Sequence, residues 1–108
     1  VRALELNRAN LSSVLDKTDI LVNTTSVGMS PAIDQTPLDT DLLRSGLAVC
    51  DIVYNPVETK LLKKAAATGA KTIGGLNMLA WQGAIAFEKW TGQGAPVDLM
   101  RNEATKLL

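Results

Sequence analysis

The chain reads as an α/β protein, part of a doubly wound parallel sheet followed by carboxyl-terminal helices. Three observations predict this. Short apolar runs recur at Asp19 to Asn23, Leu47 to Ile52 and Lys71 to Ile73, too brief for amphipathic helices. Segments with helical signals separate them, long enough for the crossover that joins parallel strands. Glycine or proline stands where each segment should stop, at Gly46, Pro56, Gly69, Gly74 and Gly92.

Taken in order, Arg2 to Leu6 is a weak strand candidate. Asn10 can cap a short helix through Leu15, with Leu11, Val14 and Leu15 on one face. The run Ile20-Leu21-Val22 predicts a buried strand that ends in Asn23, and Thr24 to Pro31 is a loop of small residues. Ser30 to Pro37 is the one extended loop, and a short helix around Asp41 to Arg44 follows. Leu47-Ala48-Val49-Cys50 predicts a strand buried on both faces, running on to Ile52 and turned aside by Pro56. Thr59 caps a helix from Lys60 to Thr68, and Lys71 to Ile73 is a short strand. Asn77 begins a longer helix through Trp90, nearly apolar all round and therefore expected to be well buried. Pro96 opens a last amphipathic helix carrying Val97, Met100, Ala104, Leu107 and Leu108.

Composition narrows the function classes. The 108 residues suit one small domain, and 11 basic residues balance 11 acidic ones, so neither nucleic acid nor an anionic membrane is an expected partner. No run of ~18 apolar residues suggests a membrane span, and no amino-terminal pattern suggests a signal peptide. The lone Cys50 cannot form an internal disulfide, which fits a reducing, cytoplasmic setting. With 0 histidines, hydrolytic triads and zinc sites are not expected. The opening Val1-Arg2-Ala3-Leu4, without methionine, reads as the start of a piece of something longer.

In a parallel sheet the strands' carboxyl ends share one edge, where ligands bind in open α/β folds. Here those ends carry Asn23-Thr24-Thr25-Ser26, then Tyr54-Asn55, then Gly74-Gly75 at a helix start. Hydroxyls and amides supply hydrogen bonds, glycines allow close approach, and a helix amino terminus favours negative or polar ligand atoms. Each could equally be turn chemistry, but their shared edge favours a binding crevice. Gln82 lies one turn beyond Met78 on the long helix, and if buried it requires a partner, from protein or ligand. Met78, Trp81 and Trp90 read first as packing residues.

The blocks Asp19 to Met29, Asp51 to Pro56 with Thr59, Gly75 to Leu79, Gln82 to Phe87 and Trp90-Thr91-Gly92 resemble the carboxyl-terminal part of the shikimate dehydrogenase family. They occur in that family's order and spacing. The resemblance implies a partial Rossmann-like fold, with residues 1–92 the later half of the nicotinamide-dinucleotide domain and residues 93–108 a helix packing towards an amino-terminal substrate domain. It implies NADPH-dependent reduction of 3-dehydroshikimate to shikimate, in aromatic amino-acid (chorismate) biosynthesis, with NAD as the other candidate cofactor. By position, Tyr54 and Gln82 would bind the substrate. Asn23, Thr24, Thr25, Ser26, Ile52, Gly75, Met78 and Leu79 would line NADP, Ile52 standing where many members carry methionine. The family's catalytic lysine and aspartate belong to the amino-terminal domain and have no counterpart here, so the chain alone is expected to be inactive. Asn7-Arg8-Ala9 mimics the family's adenosine-phosphate segment but lies too close to Asp19, and Asn7 and Arg8 read as loop residues. A homodimer is compatible with the resemblance. An NAD-using quinate/shikimate dehydrogenase, a non-catalytic nucleotide-binding module and a fragment of another dehydrogenase class stand as alternatives.

Overall fold

The computed structural model describes Val1–Leu108. Its elements are α1 (Arg8–Leu15), β1 (Ile20–Asn23), a 3₁₀ turn (Thr40–Leu42), β2 (Ala48–Asp51), α2 (Lys60–Ala67), β3 (Lys71–Ile73), α3 (Gly75–Thr91) and α4 (Val97–Leu107). The three strands are all parallel, in the order β1-β2-β3. Neighbours in space are thus neighbours in sequence, as in the later half of the dinucleotide-binding strand order. The register sets Ile20 beside Ala48 and Asn23 beside Asp51, which brings the ends of β1 and β2 level.

Leu15, Leu38, Leu43, Leu47, Val49, Leu61, Leu62, Ala65 and Ala70 form the core, with Leu11, Leu21 and Leu42 packed on its margin. The caps follow local chemistry. Thr59 accepts from the Leu62 amide at the start of α2, and Gly92, at φ 69°, closes α3 in the left-handed conformation. Arg44 Nη2 donates to the Leu15 and Thr18 carbonyls at 3.0 and 2.7 Å, satisfying the carboxyl end of α1.

Several expectations need correction. Arg2 to Leu6 is not a strand; this segment is exposed and unpaired. The first helix begins earlier than Asn10, because Asn7 is its cap: the Asn7 side chain accepts from the Asn10 amide at 2.9 Å. Arg8 then lies in the first turn and bonds Asp39 and Asp41, so neither residue belongs to a plain loop. The helix expected at Asp41 to Arg44 is a single 3₁₀ turn.

Burial is also more one-sided than the apolar runs suggest. In β2, Val49 and Asp51 are fully buried while Ala48 and Cys50 are partly covered; in β1, Ile20 and Val22 are exposed. Side chains alternate across a strand, and the core cluster covers one face of the sheet. The long helix departs further: only Gly75, Leu76, Ala80 and Ala84 are buried, whereas Met78, Trp81, Ile85 and Trp90 are exposed. α3 packs chiefly against α4 beyond the sheet, so one side of it is covered and the rest faces solvent. No helix is long and apolar enough to cross a membrane.

Candidate functional site

A cleft of ≈ 400 Å³ opens at the carboxyl ends of β1 and β2. One wall is the loop after β1, with Thr24, Thr25, Ser26, Met29 and Ser30; the other is the strand exit Ile52 to Asn55. Polar residues of the loop and the Tyr54 phenol thus share a lining with the apolar Ile52 and Val53. Tyr54 is 39% exposed, leaving its ring and hydroxyl accessible. The volume falls within the range of small-molecule sites, ~300–1,000 Å³.

Beneath the cleft lies a buried polar network. Asp51 is 0% exposed and Asn23 4%. Asp51 Oδ1 accepts from Asn23 Nδ2 at 3.0 Å and from the Val53 amide at 3.0 Å, and Oδ2 accepts from Thr59 Oγ1 at 2.7 Å. No salt bridge to a cation compensates this carboxylate; its stabilisation comes from oriented dipoles. Asn23 Oδ1 in turn accepts from the Thr25 amide at 3.1 Å and Thr25 Oγ1 at 2.7 Å, folding the loop into an Asx turn. Above the network, the Ser30 amide donates to the Asn55 carbonyl at 2.8 Å. No buried side-chain polar atom in the chain lacks a partner.

The glycine at the third strand end acts on this site through packing. A Cβ on Gly75 would lie 2.7 Å from the Val53 oxygen and would also strike the Ile52 carbonyl group. Only glycine lets the start of α3 seat against the backbone that forms the Tyr54 wall.

Thr24, Thr25, Ser26, Ile52 and Tyr54 are therefore brought together in one cleft. Asn23 is not a wall of it: its amide is consumed in holding the loop. Gly75, Met78, Leu79 and Gln82 do not line it either. Gln82 is exposed, so water satisfies its amide and the buried-glutamine argument fails. Asn55, expected at this edge with Tyr54, lines the cleft; Met29, Ser30 and Val53 are lining residues that sequence reasoning missed, as was the role of the Asp51 carboxylate. A signal for the latter existed: an acidic residue closing a core strand must collect donors, and the Thr59 cap stands only a few positions on.

Elsewhere, Arg8 bonds Asp39 Oδ2 at 2.9 Å and Asp41 Oδ2 at 2.6 Å, all exposed. These partners push the guanidinium pKa further up, and the Arg8 hydrogen bond holds the Asp41 carboxyl below its usual range. Burial, with the neighbouring Asp51 charge second, raises the Cys50 thiol pKa, so this cysteine is a poor nucleophile. No cluster of side chains suited to a metal ion is present.

Residues 75–105 match the family described as the shikimate 5'-dehydrogenase C-terminal domain. Over 107 residues, 99% of the chain, the sequence is 49% identical to a shikimate dehydrogenase (NADP(+)) from Dehalococcoides mccartyi. The chain belongs with the carboxyl-terminal part of the shikimate dehydrogenases. It spans 37% of the length of that D. mccartyi relative. Among solved structures, shikimate 5-dehydrogenase from Thermus thermophilus, in complex with NADP(H) and shikimate, shares 39% identity and a TM-score of 0.83. That match covers 91% of this chain and 37% of the Thermus one. Quinate dehydrogenase from Corynebacterium glutamicum in complex with NAD aligns at 38% identity and a TM-score of 0.81, over 87% of this chain and 33% of that one. The α/β architecture of the three parallel strands is thus the one found in shikimate dehydrogenases.

Proposed function

We propose that this chain supplies the cofactor-side wall of a shikimate dehydrogenase, which reduces 3-dehydroshikimate to shikimate reversibly with NADPH. One observation carries the reading. Thr24, Ser26 and Tyr54 line one cleft, at the sheet edge of a chain half identical to an enzyme of that name.

Bound there, the nicotinamide would supply the hydride. The chain's own residues bind and orient. Thr24 and Ser26 offer hydroxyls to polar parts of the cofactor, Thr25, its amide and hydroxyl held by Asn23, shapes the loop between them, and Ile52 gives the cofactor an apolar surface. Gly75, Met78 and Leu79 belong to the helix start behind the Tyr54 wall, so their part in binding NADP is to set that wall's position and to extend its surface. Tyr54 hydrogen-bonds a ring substituent of the substrate. Gln82 stands beyond the cleft, with its amide free to meet substrate that reaches along α3. Proton transfer is left to the lysine and aspartate of an amino-terminal substrate domain, the chief partner in this reading.

Residues 1–92 would form the later half of the dinucleotide-binding domain, and residues 93–108 would brace it against the substrate domain, which the exposed Trp81, Trp90 and Leu99 support. A cytoplasmic enzyme, in a homodimer or alone, fits the reducing setting suggested by the single cysteine. The similarity to an NAD-bound quinate dehydrogenase favours one second reading, the same reaction type on quinate with NAD.

Substrate profiling of the two-domain enzyme tests the proposal. Oxidation of shikimate with NADP⁺, followed by absorbance of the reduced nicotinamide, should exceed oxidation of quinate or use of NAD⁺. Preference for quinate with NAD⁺ would favour the second reading. Turnover of neither compound would defeat both, and turnover by residues 1–108 alone would overturn the division of roles.

A further inference from the structure

The buried carboxylate of Asp51 bonds its own strand exit and the nearby α2 cap, and joins them to the distant end of β1 at Asn23, which only folding brings alongside. Through Asn23 Nδ2 it holds the residue whose Oδ1 pins Thr25 by both its amide and its hydroxyl. Through the Val53 amide it holds the strand exit that carries Ile52 and Tyr54. Both of these bonds end on the same oxygen, Oδ1, while Oδ2 is given to the α2 cap at Thr59. One atom therefore anchors both walls of the cleft. A second bridge, from the Ser30 amide to the Asn55 carbonyl, joins the walls near their rims and does not involve this atom.

We propose that Asp51 is a positioning residue that couples the two walls, so that ordering the Thr24–Ser26 loop also orders the Val53–Tyr54 exit. An anion with no paired cation holds its donors through charge-assisted hydrogen bonds, about twice as strong as neutral ones. A ligand on one wall then improves binding at the other, since the ordering cost is met once. The inference rests on the proposed function only for the identity of the two ligands. The coupling itself belongs to the fold.

Two measurements test it. The first needs no ligand: amide hydrogen exchange at Thr25 and Val53 in the protein, referred to the core amide of Val49. Asp51→Asn should speed exchange at Thr25, two bonds removed from the substitution, by about tenfold, along with Val53. Asn23→Ala should likewise speed Val53. Thr59→Ala, which releases only Oδ2, should leave Thr25 within about twofold of the parent. An unchanged Thr25 in Asp51→Asn would overturn the coupling. If that variant does not fold, an unchanged Val53 in Asn23→Ala overturns it instead.

The second is the ratio of shikimate Kd without and with saturating NADP⁺ in the two-domain enzyme. Asp51→Asn should bring this ratio towards one, while a merely structural role would change stability and leave the ratio intact. If the parent protein binds neither compound, the functional reading fails and the exchange data still decide the coupling.

Discussion

At the carboxyl edge of the sheet, Asn23, Asp51 and Thr59 are at most 4% exposed, and one hydrogen-bond network links them. Along α4 no residue is buried, and its ion pairs, Arg101 with Asp98 and Lys106 with Glu103, lie on the surface one turn apart. Polar groups thus organise the cleft from inside, where low dielectric makes each bond consequential. In the α3–α4 arm polar groups decorate a surface, and apolar ones such as Trp90, 84% exposed, remain in water. The contrast separates a part of the molecule whose shape is set by its own side chains from a part held chiefly by one helix contact.

Substitutions in the two regions should differ accordingly. Asp51→Ala strands three donors at once, Asn23 Nδ2, the Val53 amide and Thr59 Oγ1. It should cost about 3 kcal/mol or more in urea unfolding, since each buried unpaired group costs ~1–3 kcal/mol. A loss below ~1 kcal/mol would mean water reaches the network and would erase the contrast. Gly75→Ala comes next, because backbone oxygens cannot yield as a flexible side chain would. About 2 kcal/mol of stability should be lost, with weakened cofactor binding as the α3 start is displaced.

Tyr54→Phe sharpens the comparison in another way. Its hydroxyl sits on a side chain 39% exposed, so stability should stay within ~0.5 kcal/mol of the parent while kcat/KM for shikimate falls by ~1–3 kcal/mol in transition-state terms. Unchanged kinetics for both Tyr54→Phe and Gln82→Ala in the two-domain enzyme would remove the substrate assignment.

The smallest effects belong to surface charge. Arg101→Ala breaks a pair that is largely exposed and should shift stability by less than ~1 kcal/mol. The Arg8–Asp41 pair gives a weak pH dependence of known sign. Because Asp41's folded pKa lies below its ordinary value, its contribution is present above that value and disappears as pH falls through the folded one. Salt should flatten this dependence, and Arg8→Ala should abolish it in acid titrations monitored by circular dichroism.

Local chemistry was legible where a residue's partner lies within a turn or two. The Thr59 cap bonds Leu62, and Gly92 ends α3 just after Thr91. Asn7 and Asn10 offer the same capping chemistry, and only the backbone path decides which asparagine sits outside the helix. The cleft was legible in part, since strand ends in a parallel sheet must share an edge and Thr24 to Ser26 and Tyr54 were visible there. Asn55 was visible beside Tyr54, whereas Met29 and Ser30 were not, as turn residues reveal no direction from type alone.

The strands, their parallel order and the residues at their ends were determined by the amino-acid sequence, through apolar runs, glycine stops and caps that act over a few positions. Tertiary structure decided which groups meet and which stay in water. Asn23 and Asp51 are 28 residues apart and become partners only because the register aligns them. Gln82, apolar neighbours notwithstanding, is exposed because burial depends on what packs against a helix, and here α4 is the chief element packed against α3. Periodicity determines which faces a helix has; contact with a second element decides which of them is buried.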